Sequence, residues 1–166
     1  INKVIALQQN LIPQSYYLRA ELQMNFGNID EAISDFTQVI ALDPKMVESY
    51  NKRGQLYVEK RNLDAALEDF NVAISINENH SEAYTNRGFV FMNQSKLYEA
   101  SLDFKKAKML TPNDHSIYYN MAVLYQLAGK YQEALNELEQ CLRLNPQFQP
   151  AIKSKAEIQG LMNINE

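Results

Sequence analysis

The sequence predicts an all-α solenoid of stacked antiparallel helix hairpins, and three observations lead to that prediction. Small, aromatic and aliphatic residues recur along most of the chain with one constant period, which is the interval from Tyr16 to Tyr50. Each period holds two stretches with apolar residues at helical spacing, separated by a turn. The 166 residues are 46% apolar and 22% charged, which is enough apolar material for a core. Because a single hairpin cannot bury its apolar face alone, we expect neighbouring hairpins to stack.

The period is clearest at aromatic and small positions. Each repeat opens with a tyrosine and continues with a small residue, an alanine, a bulky apolar residue and a further small or aliphatic residue. In chain order these are Tyr16, Tyr50, Tyr84 and Tyr118; Ala20, Gly54, Gly88 and Ala122; Ala32, Ala66, Ala100 and Ala134; Phe36, Phe70, Phe104 and Leu138; Val39, Ala73, Ala107 and Cys141. We interpret the tyrosine series as core rather than as a ligand-binding box.

The pattern of apolar residues within each repeat predicts two helices. The first helices are expected over Gln14–Asn25, Glu48–Lys60, Glu82–Gln94 and Ser116–Ala128. The second helices are expected over Ile29–Leu42, Leu63–Ile76, Leu97–Leu110 and Tyr131–Leu144. The small residues Gly54 and Ala66 would lie on facing helices and let the two axes approach to about 8–10 Å.

The turns between the helices carry their own signals. Gly27 and Gly129 directly follow a first helix, where a left-handed residue costs glycine least, while Arg61 and Ser95 are less suited to that position. Asn28 and Asn62 stand where a side chain can accept a free backbone N–H of the following helix. The second helices end before prolines, which cannot continue them: Pro44, Pro112 and Pro146.

The third repeat, with Tyr84, Gly88, Phe91, Ala100, Phe104, Ala107 and Pro112, resembles the tetratricopeptide repeat family. The resemblance implies a right-handed α-solenoid that serves as a binding scaffold. It divides the chain into repeats over residues 13–46, 47–80, 81–114 and 115–148. The first of these repeats is weaker, because Gln23 stands where the family has an aromatic residue.

Both ends of the chain extend the pattern. Val4-Ile5-Ala6-Leu7 repeats the letters of residues 39–42, so residues 1–12 are predicted to be the end of a preceding repeat or an N-terminal cap helix. Residues 149–166 are predicted to form a capping helix with Ile152 and Ala156 at core positions. Since the chain opens at Ile1 rather than at Met, we interpret it as processed or excised from a longer protein.

Composition and residue types argue against several functions. A net charge of −4 disfavours nucleic acid and polybasic membrane binding, and no apolar run is long enough for a membrane span. His80 and His115 have no partners at metal-ligand spacing, and the adjacent residues of Asp114-His115-Ser116 cannot form a catalytic triad. The remaining acidic residues are expected on solvated helix faces. The sequence therefore predicts no enzyme, no metal and no cofactor.

The resemblance implies that first helices line a concave groove for a peptide. In this chain the predicted peptide-binding residues are Asn51, Lys52, Gln55, Thr85, Asn86, Phe89, Met92, Tyr119, Asn120, Val123 and Leu127. An asparagine amide donates and accepts, so Asn86 and Asn120 could pair with a peptide backbone, although Asn is common there across the family. Phe89 and Val123 would either anchor a partner's side chains or pack between neighbouring first helices.

The predicted partner is a segment of another protein, and its identity is open. The family's clamp for the C-terminal carboxylate of heat-shock chaperones needs cations that the aligned positions here lack. We therefore predict no such chaperone binding. The alternative function is a structural spacer or assembly segment of a longer solenoid. The lone Cys141 favours a reducing compartment such as the cytoplasm.

Overall fold

A computed structural model describes the backbone of residues 2–164 and the side chains of residues 12–162. Within that range the regular structure consists of nine α-helices and no strand. In chain order they are α1 Asn2–Asn25, α2 Ile29–Leu42, α3 Val47–Glu59, α4 Leu63–Ile76, α5 Ser81–Asn93, α6 Leu97–Leu110, α7 His115–Leu127, α8 Tyr131–Leu144 and α9 Gln149–Ile164. The predicted all-α class is confirmed.

The helices are organised in two compact bodies, residues 1–78 and residues 79–166. In the N-terminal body α1 packs on α2 and α3 on α4, and the two hairpins meet where α2 packs on α3. In the C-terminal body the hairpins are α5 with α6 and α7 with α8, joined through α6 and α7, with α9 packed on α8. Hairpins therefore stack in chain order within each body, as the repeat predicts.

The four second helices have the predicted bounds, and α3, α5 and α7 each begin and end one residue earlier than predicted. The predicted start of the first helix at Gln14 is wrong, since α1 runs without interruption from Asn2 to Asn25 and contains Pro13. Proline removes one N–H from the helical ladder, and here the helix continues past that missing bond. The assignment of residues 1–12 to a preceding repeat stays a prediction, and the side chains of residues 2–11 lie outside the described part.

Only one of the two predicted asparagine caps makes its bond. The side chain of Asn62 accepts the backbone N–H of Ala65 at 3.3 Å. Asn28 occupies the cap position of α2, but its Nδ2 donates instead to Oε1 of Gln23 at 2.6 Å. The prediction for Asn28 is wrong because a neighbouring side-chain acceptor engages its amide.

The turn that follows each of the four first helices contains one residue whose backbone lies in the left-handed region. Gly27 and Gly129 have φ of +75° and +71°, as predicted, while Arg61 and Ser95 adopt +62° and +60° without being glycine. Left-handed backbone costs a residue with a Cβ about 1–2 kcal/mol. The second and third repeats therefore carry strain that the first and fourth avoid.

We expect Arg61→Gly and Ser95→Gly each to raise the free energy of unfolding. Relief of the left-handed strain outweighs the greater freedom of glycine in the unfolded chain, about 0.4–1 kcal/mol, and leaves a gain of up to about 1 kcal/mol. Thermal unfolding followed by circular dichroism at 222 nm measures the change. Gly129→Ala is the control and should lower the melting temperature, since space is open around Gly129 and only its backbone conformation opposes a Cβ. A lower melting temperature for Arg61→Gly would contradict the assignment of strain.

In two hairpins a glycine on the first helix leaves space for an aromatic ring of the second helix. A Cβ built on Gly54 would lie 2.6 Å from Cε1 of Phe70, and one on Gly88 would lie 2.8 Å from Cε1 of Phe104. Both rings are fully buried. The sequence interpretation paired Gly54 with Ala66, whereas the structure shows that Phe70 fills the space left by the missing side chain.

The core of α9 differs from the prediction. Ile152 is 39% exposed and Ala156 is exposed, whereas Ala151 and Ile158 are fully buried. α9 packs against α8, and the residues that it buries there are Ala151 and Ile158. The equivalent residues of α7, Ile117 and Leu124, are buried as well.

Three acidic residues predicted to be solvated are buried instead. Asp35, Asp69 and Asp103 are 5%, 4% and 5% exposed, and each accepts two hydrogen bonds from an arginine sixteen residues earlier. The arginines are Arg19, Arg53 and Arg87, which also lie over aromatic rings of their own helices. Both series follow the period of the repeat, so the signal was present in the sequence. Charge was taken as a sign of solvent exposure, and pairing across the hairpin removed that requirement.

Candidate functional site

The candidate site is the face formed by the first helices of the C-terminal body together with α9. We call it the α5–α7–α9 face and define it by Asn86, Phe89, Tyr119, Asn120, Leu127, Lys153, Ser154 and Glu157. α5 packs against α7, and residues of α7 and α9 line a common cleft. Each member stands at the unit positions that the sequence assigns to the groove, or one repeat period further along the chain.

The structure separates the apolar groove candidates into exposed and buried residues. Phe89 is 40% exposed and Leu127 is 60% exposed, so both present apolar surface to solvent. Met92 is only 9% exposed and belongs to a core cluster with Phe104, against which Val123 packs. Val123 is thus partly buried against this cluster, Phe89 stays accessible, and the placement of Met92 on an open surface is wrong because it is buried among residues of α6 and α7. Whether Phe89 anchors a partner stays a prediction.

Polar side chains lie beside the exposed apolar ones. Asn86 and Asn120 are both half-buried. Asn86 already interacts with another residue, whereas the side-chain amide of Asn120 makes no hydrogen bond to any other described residue. The hydroxyl of Thr85 donates to the backbone carbonyl of Ser81 at 3.1 Å, so it is engaged within its own helix. Of the three, Asn120 has the greatest unused capacity to pair with a peptide backbone.

A cleft of about 490 Å³ opens between α7 and α9. Its lining residues are Tyr119, Gln149, Pro150, Lys153, Ser154 and Glu157. The Tyr119 ring is held edge-on against Phe148, with ring centroids 5.3 Å apart. Lys153 and Glu157 are 80% and 53% exposed at the side chain and lie 3.9 Å apart, so both charges remain accessible to a ligand.

The contribution of α9 to this face was missed by the sequence interpretation. One repeat period after Ser116, Tyr119, Asn120 and Val123 stand Pro150, Lys153, Ser154 and Glu157. The same periodicity therefore could have found them. They were not included among the groove residues because residues 149–166 were predicted to form a capping helix, whose charged side chains would face solvent.

The predicted groove residues of α3 lie in the N-terminal body. Asn51 is 1% exposed and interacts with another residue, so its amide is not available to an incoming peptide. Its neighbours Ser49 and Tyr50 are also buried, which shows that this part of α3 lies inside the body. The prediction of Asn51 as a surface contact is wrong for this reason, whereas Lys52 and Gln55 are half-buried.

His80 and the Asp114-His115-Ser116 segment, which the sequence analysis weighed as sites, make local structural contacts. Nδ1 of His80 accepts the Ala83 N–H at 3.1 Å and caps α5. The Asp114 carboxylate accepts directly from the backbone N–H and the hydroxyl of Ser116, at 2.9 and 2.7 Å, so no histidine lies between them. Among the described residues no group of three His, Cys, Asp or Glu side chains is placed to hold a metal ion.

Two further reactive side chains are also held by packing. The His115 ring lies edge-on to Phe148 at 4.8 Å, and its Nε2 is 3.2 Å from the amide nitrogen of Asn145. Cys141 is fully buried, and that burial raises the pKa of its thiol. A raised pKa disfavours the nucleophilic thiolate, which agrees with a packing role.

Two models of the tetratricopeptide repeat match the chain, one over residues 17–86 and the other over residues 115–148. The chain belongs to the tetratricopeptide repeat family. Proteins of this family are in general non-enzymatic scaffolds that bind other proteins. Among curated proteins none matches this tetratricopeptide repeat chain. None of the helices in the described range is long and apolar enough to cross a membrane.

Solved structures share the fold at low sequence identity. TTC0263, a thermophilic tetratricopeptide repeat protein of Thermus thermophilus, is 22% identical with a TM-score of 0.77, over 89% of this chain and 81% of that one. PilF of Pseudomonas aeruginosa is 16% identical with a TM-score of 0.86, over 94% of this chain and 71% of that one. The first repeat domain of Spaghetti (RPAP3), solved with an HSP90 peptide, is 24% identical with a TM-score of 0.69, over 72% and 94%. These similarities confirm the α-solenoid class.

Proposed function

We propose that this protein is a non-catalytic adaptor that binds a peptide segment of another protein on the α5–α7–α9 face. The observation that carries the proposal is that Phe89 and Leu127 are exposed at groove positions of α5 and α7, where Asn120, which can pair with a peptide backbone, also stands. A solvated helix face gains nothing from an exposed phenylalanine, whereas a binding face uses it as an anchor.

The two parts of the face would act on different parts of the ligand. Phe89 and Leu127 would bury apolar side chains of the segment, which supplies most of the affinity. The amide of Asn120 would pair with the backbone of the segment and hold it in register without selecting its sequence. The cleft between α7 and α9 would accept one further side chain, with Lys153 and Glu157 at its rim selecting for charge.

Selection of a random peptide library displayed on phage tests this proposal, with the peptides then measured by fluorescence anisotropy. We expect Phe89→Glu to weaken the selected peptides at least tenfold, because a carboxylate replaces the apolar anchor, and Asn120→Ala to weaken them less. Leu144→Glu is the matched control, since Leu144 is also 40% exposed and lies on α8 of the same body, outside the α5–α7–α9 face. Peptides that bind Phe89→Glu as well as the unaltered protein would refute the proposal.

A peptide that ends in Glu-Glu-Val-Asp is expected to bind no tighter than millimolar. The positions aligned with the family's carboxylate clamp hold Asn51, Gln55, Asn86, Ser116 and Asn120, and none of them is a cation. A free carboxylate needs charge-assisted bonds that neutral amides do not supply. Isothermal titration with this peptide and its C-terminal amide checks the expectation. Micromolar affinity that disappears with the amide would show that the chain has a carboxylate site after all.

A further inference from the structure

The outer side of α6 carries a stripe of exposed apolar residues. Tyr98, Leu102 and Met109 are 74%, 49% and 79% exposed, and Lys105 lies exposed between Leu102 and Met109. Their spacings of four, three and four residues place the four side chains on one face of the helix. We call these four residues the α6 stripe. It lies on a second helix and is therefore separate from the first helices that form the α5–α7–α9 face.

The other three second helices provide an internal comparison, because they repeat the same fold at the same positions. At the positions of the α6 stripe they carry only polar, charged or small residues: Asp30, Ser34, Thr37 and Ala41 in α2; Asp64, Glu68, Asn71 and Ser75 in α4; Gln132, Asn136, Glu139 and Arg143 in α8. Packing of the hairpin therefore does not require large apolar side chains at these positions. Their presence on α6 alone calls for a different physical reason, which is contact with another molecule.

The charge of α6 also differs from that of its counterparts. Lys105, Lys106 and Lys108 lie within α6 and Lys96 directly precedes it, whereas α2 and α4 contain acidic residues and no lysine or arginine. Of the two acidic residues of α6, Asp103 is buried against Arg87, which leaves Glu99 exposed. In a chain with a net charge of −4, this helix is thus locally basic.

Three of the four lysines are already engaged, which limits what the α6 stripe can bind. Lys108 lies 3.0 Å from Glu137, Lys106 lies over the ring of Tyr84, and Lys96 lies over the ring of Phe91. An anionic membrane surface typically needs a cluster of about 4–8 basic residues, so the remaining lysine falls short. A two-fold contact between antiparallel copies would pair Tyr98 with Met109 and Leu102 with Lys105, so each Lys105 ammonium would be buried against an apolar side chain without a carboxylate, which its desolvation cost opposes.

We propose that the α6 stripe binds an acidic amphipathic segment of a partner protein. Apolar side chains of that segment cover Tyr98, Leu102 and Met109, and a carboxylate pairs with Lys105. From Tyr98 to Met109 the stripe is about 16 Å long at 1.5 Å per residue, so a partner helix of three turns covers it.

Two designed helical peptides of equal length, each about five helical turns, test the proposal by fluorescence anisotropy at low salt. They share one apolar stripe and differ only in the flanking residues, which are all Glu in one and all Lys in the other. We expect the acidic peptide to bind at least tenfold more tightly than the basic one. Lys105→Glu should reduce that preference at least fivefold, and high salt should reduce it as well.

The decisive variant transfers the outer face of α4 to α6 through Tyr98→Asp, Leu102→Glu, Lys105→Asn and Met109→Ser. Because these residues occupy the same positions of α4, helix content should be unchanged, and binding of the acidic peptide should be lost. Phe89→Glu should leave this binding intact, which separates this result from the test of the α5–α7–α9 face. The proposal is overturned if the acidic peptide does not bind, if the transferred face binds it equally, or if vesicles with anionic lipid or a second copy bind this stripe instead.

Discussion

Replacing Arg53 with methionine is expected to destabilise the protein by about 3–5 kcal/mol, the usual consequence of leaving a buried charge unpaired. Nε and Nη2 of Arg53 donate to Asp69 at 2.8 and 2.7 Å, and Nη1 donates to Thr37 at 2.9 Å. The side chains of Arg53 and Asp69 are only 16% and 6% exposed. A loss of this size is a large part of the roughly 5–15 kcal/mol that a domain typically has. Urea unfolding followed at 222 nm measures it.

The fourth repeat shows how the same position can do without arginine. Met121 stands where the other repeats have arginine, and Glu137 replaces the aspartate and pairs with Lys108 of α6. We therefore expect Asp69→Leu to restore most of the stability lost in Arg53→Met, because the double variant leaves no unpaired buried charge at this position. Arg19→Met is the matched control and should cost less, since Arg19 is 58% exposed at the side chain. Equal losses at Arg19 and Arg53 would contradict the importance of burial.

The pH dependence of the variant has a definite sign. Burial raises the pKa of Asp69, and hydrogen bonds from Arg53 oppose that rise. Without Arg53 the pKa of Asp69 in the folded protein rises further above its value in the unfolded chain. Stability from such a group is present at low pH and is lost as the pH rises through the folded pKa. The deficit of Arg53→Met should therefore be smaller at pH 4 than at pH 7.

Gly54→Ala is expected to destabilise the protein by about 1–3 kcal/mol, the usual range for an overpacked core. The added methyl group would lie 2.6 Å from Cε1 of Phe70, inside van der Waals contact, and the fully buried ring has little room to move. The first repeat combines Ala20 with Phe36, both fully buried, so a hairpin can adjust to the extra methyl group. That adjustment is the reason to expect a moderate loss rather than unfolding.

The fourth repeat again supplies the compensating change. It pairs Ala122 with Leu138, so Gly54→Ala combined with Phe70→Leu reproduces a combination that the same fold already contains. We expect the double variant to be more stable than the sum of the two single changes predicts, because the smaller side chain removes the clash. Thermal unfolding of the four proteins gives this coupling energy. Strict additivity would show that Phe70 is not the group that excludes a side chain at Gly54.

Much of the candidate site could be predicted from the period alone. Phe89 and Leu127 are exposed, as a groove residue must be, and counting in steps of one repeat places them at the groove positions of α5 and α7. The same counting placed Asn51 and Met92 on that surface, yet both are buried. The repeat period gives the angular position of a residue on its helix. It does not say how much of that helix a neighbouring element covers.

By itself the sequence determined the repeat, the bounds of the second helices and the left-handed turns at Gly27 and Gly129, because these follow from local spacing and backbone conformation. Only the tertiary structure decided that Arg53 and Asp69 are buried together, that Phe70 occupies the space beside Gly54, and that α9 lines a cleft with Tyr119. These features depend on distances between helices, which arise when side chains from separate segments compete for the same volume. A periodic pattern describes each helix singly and contains no such distance.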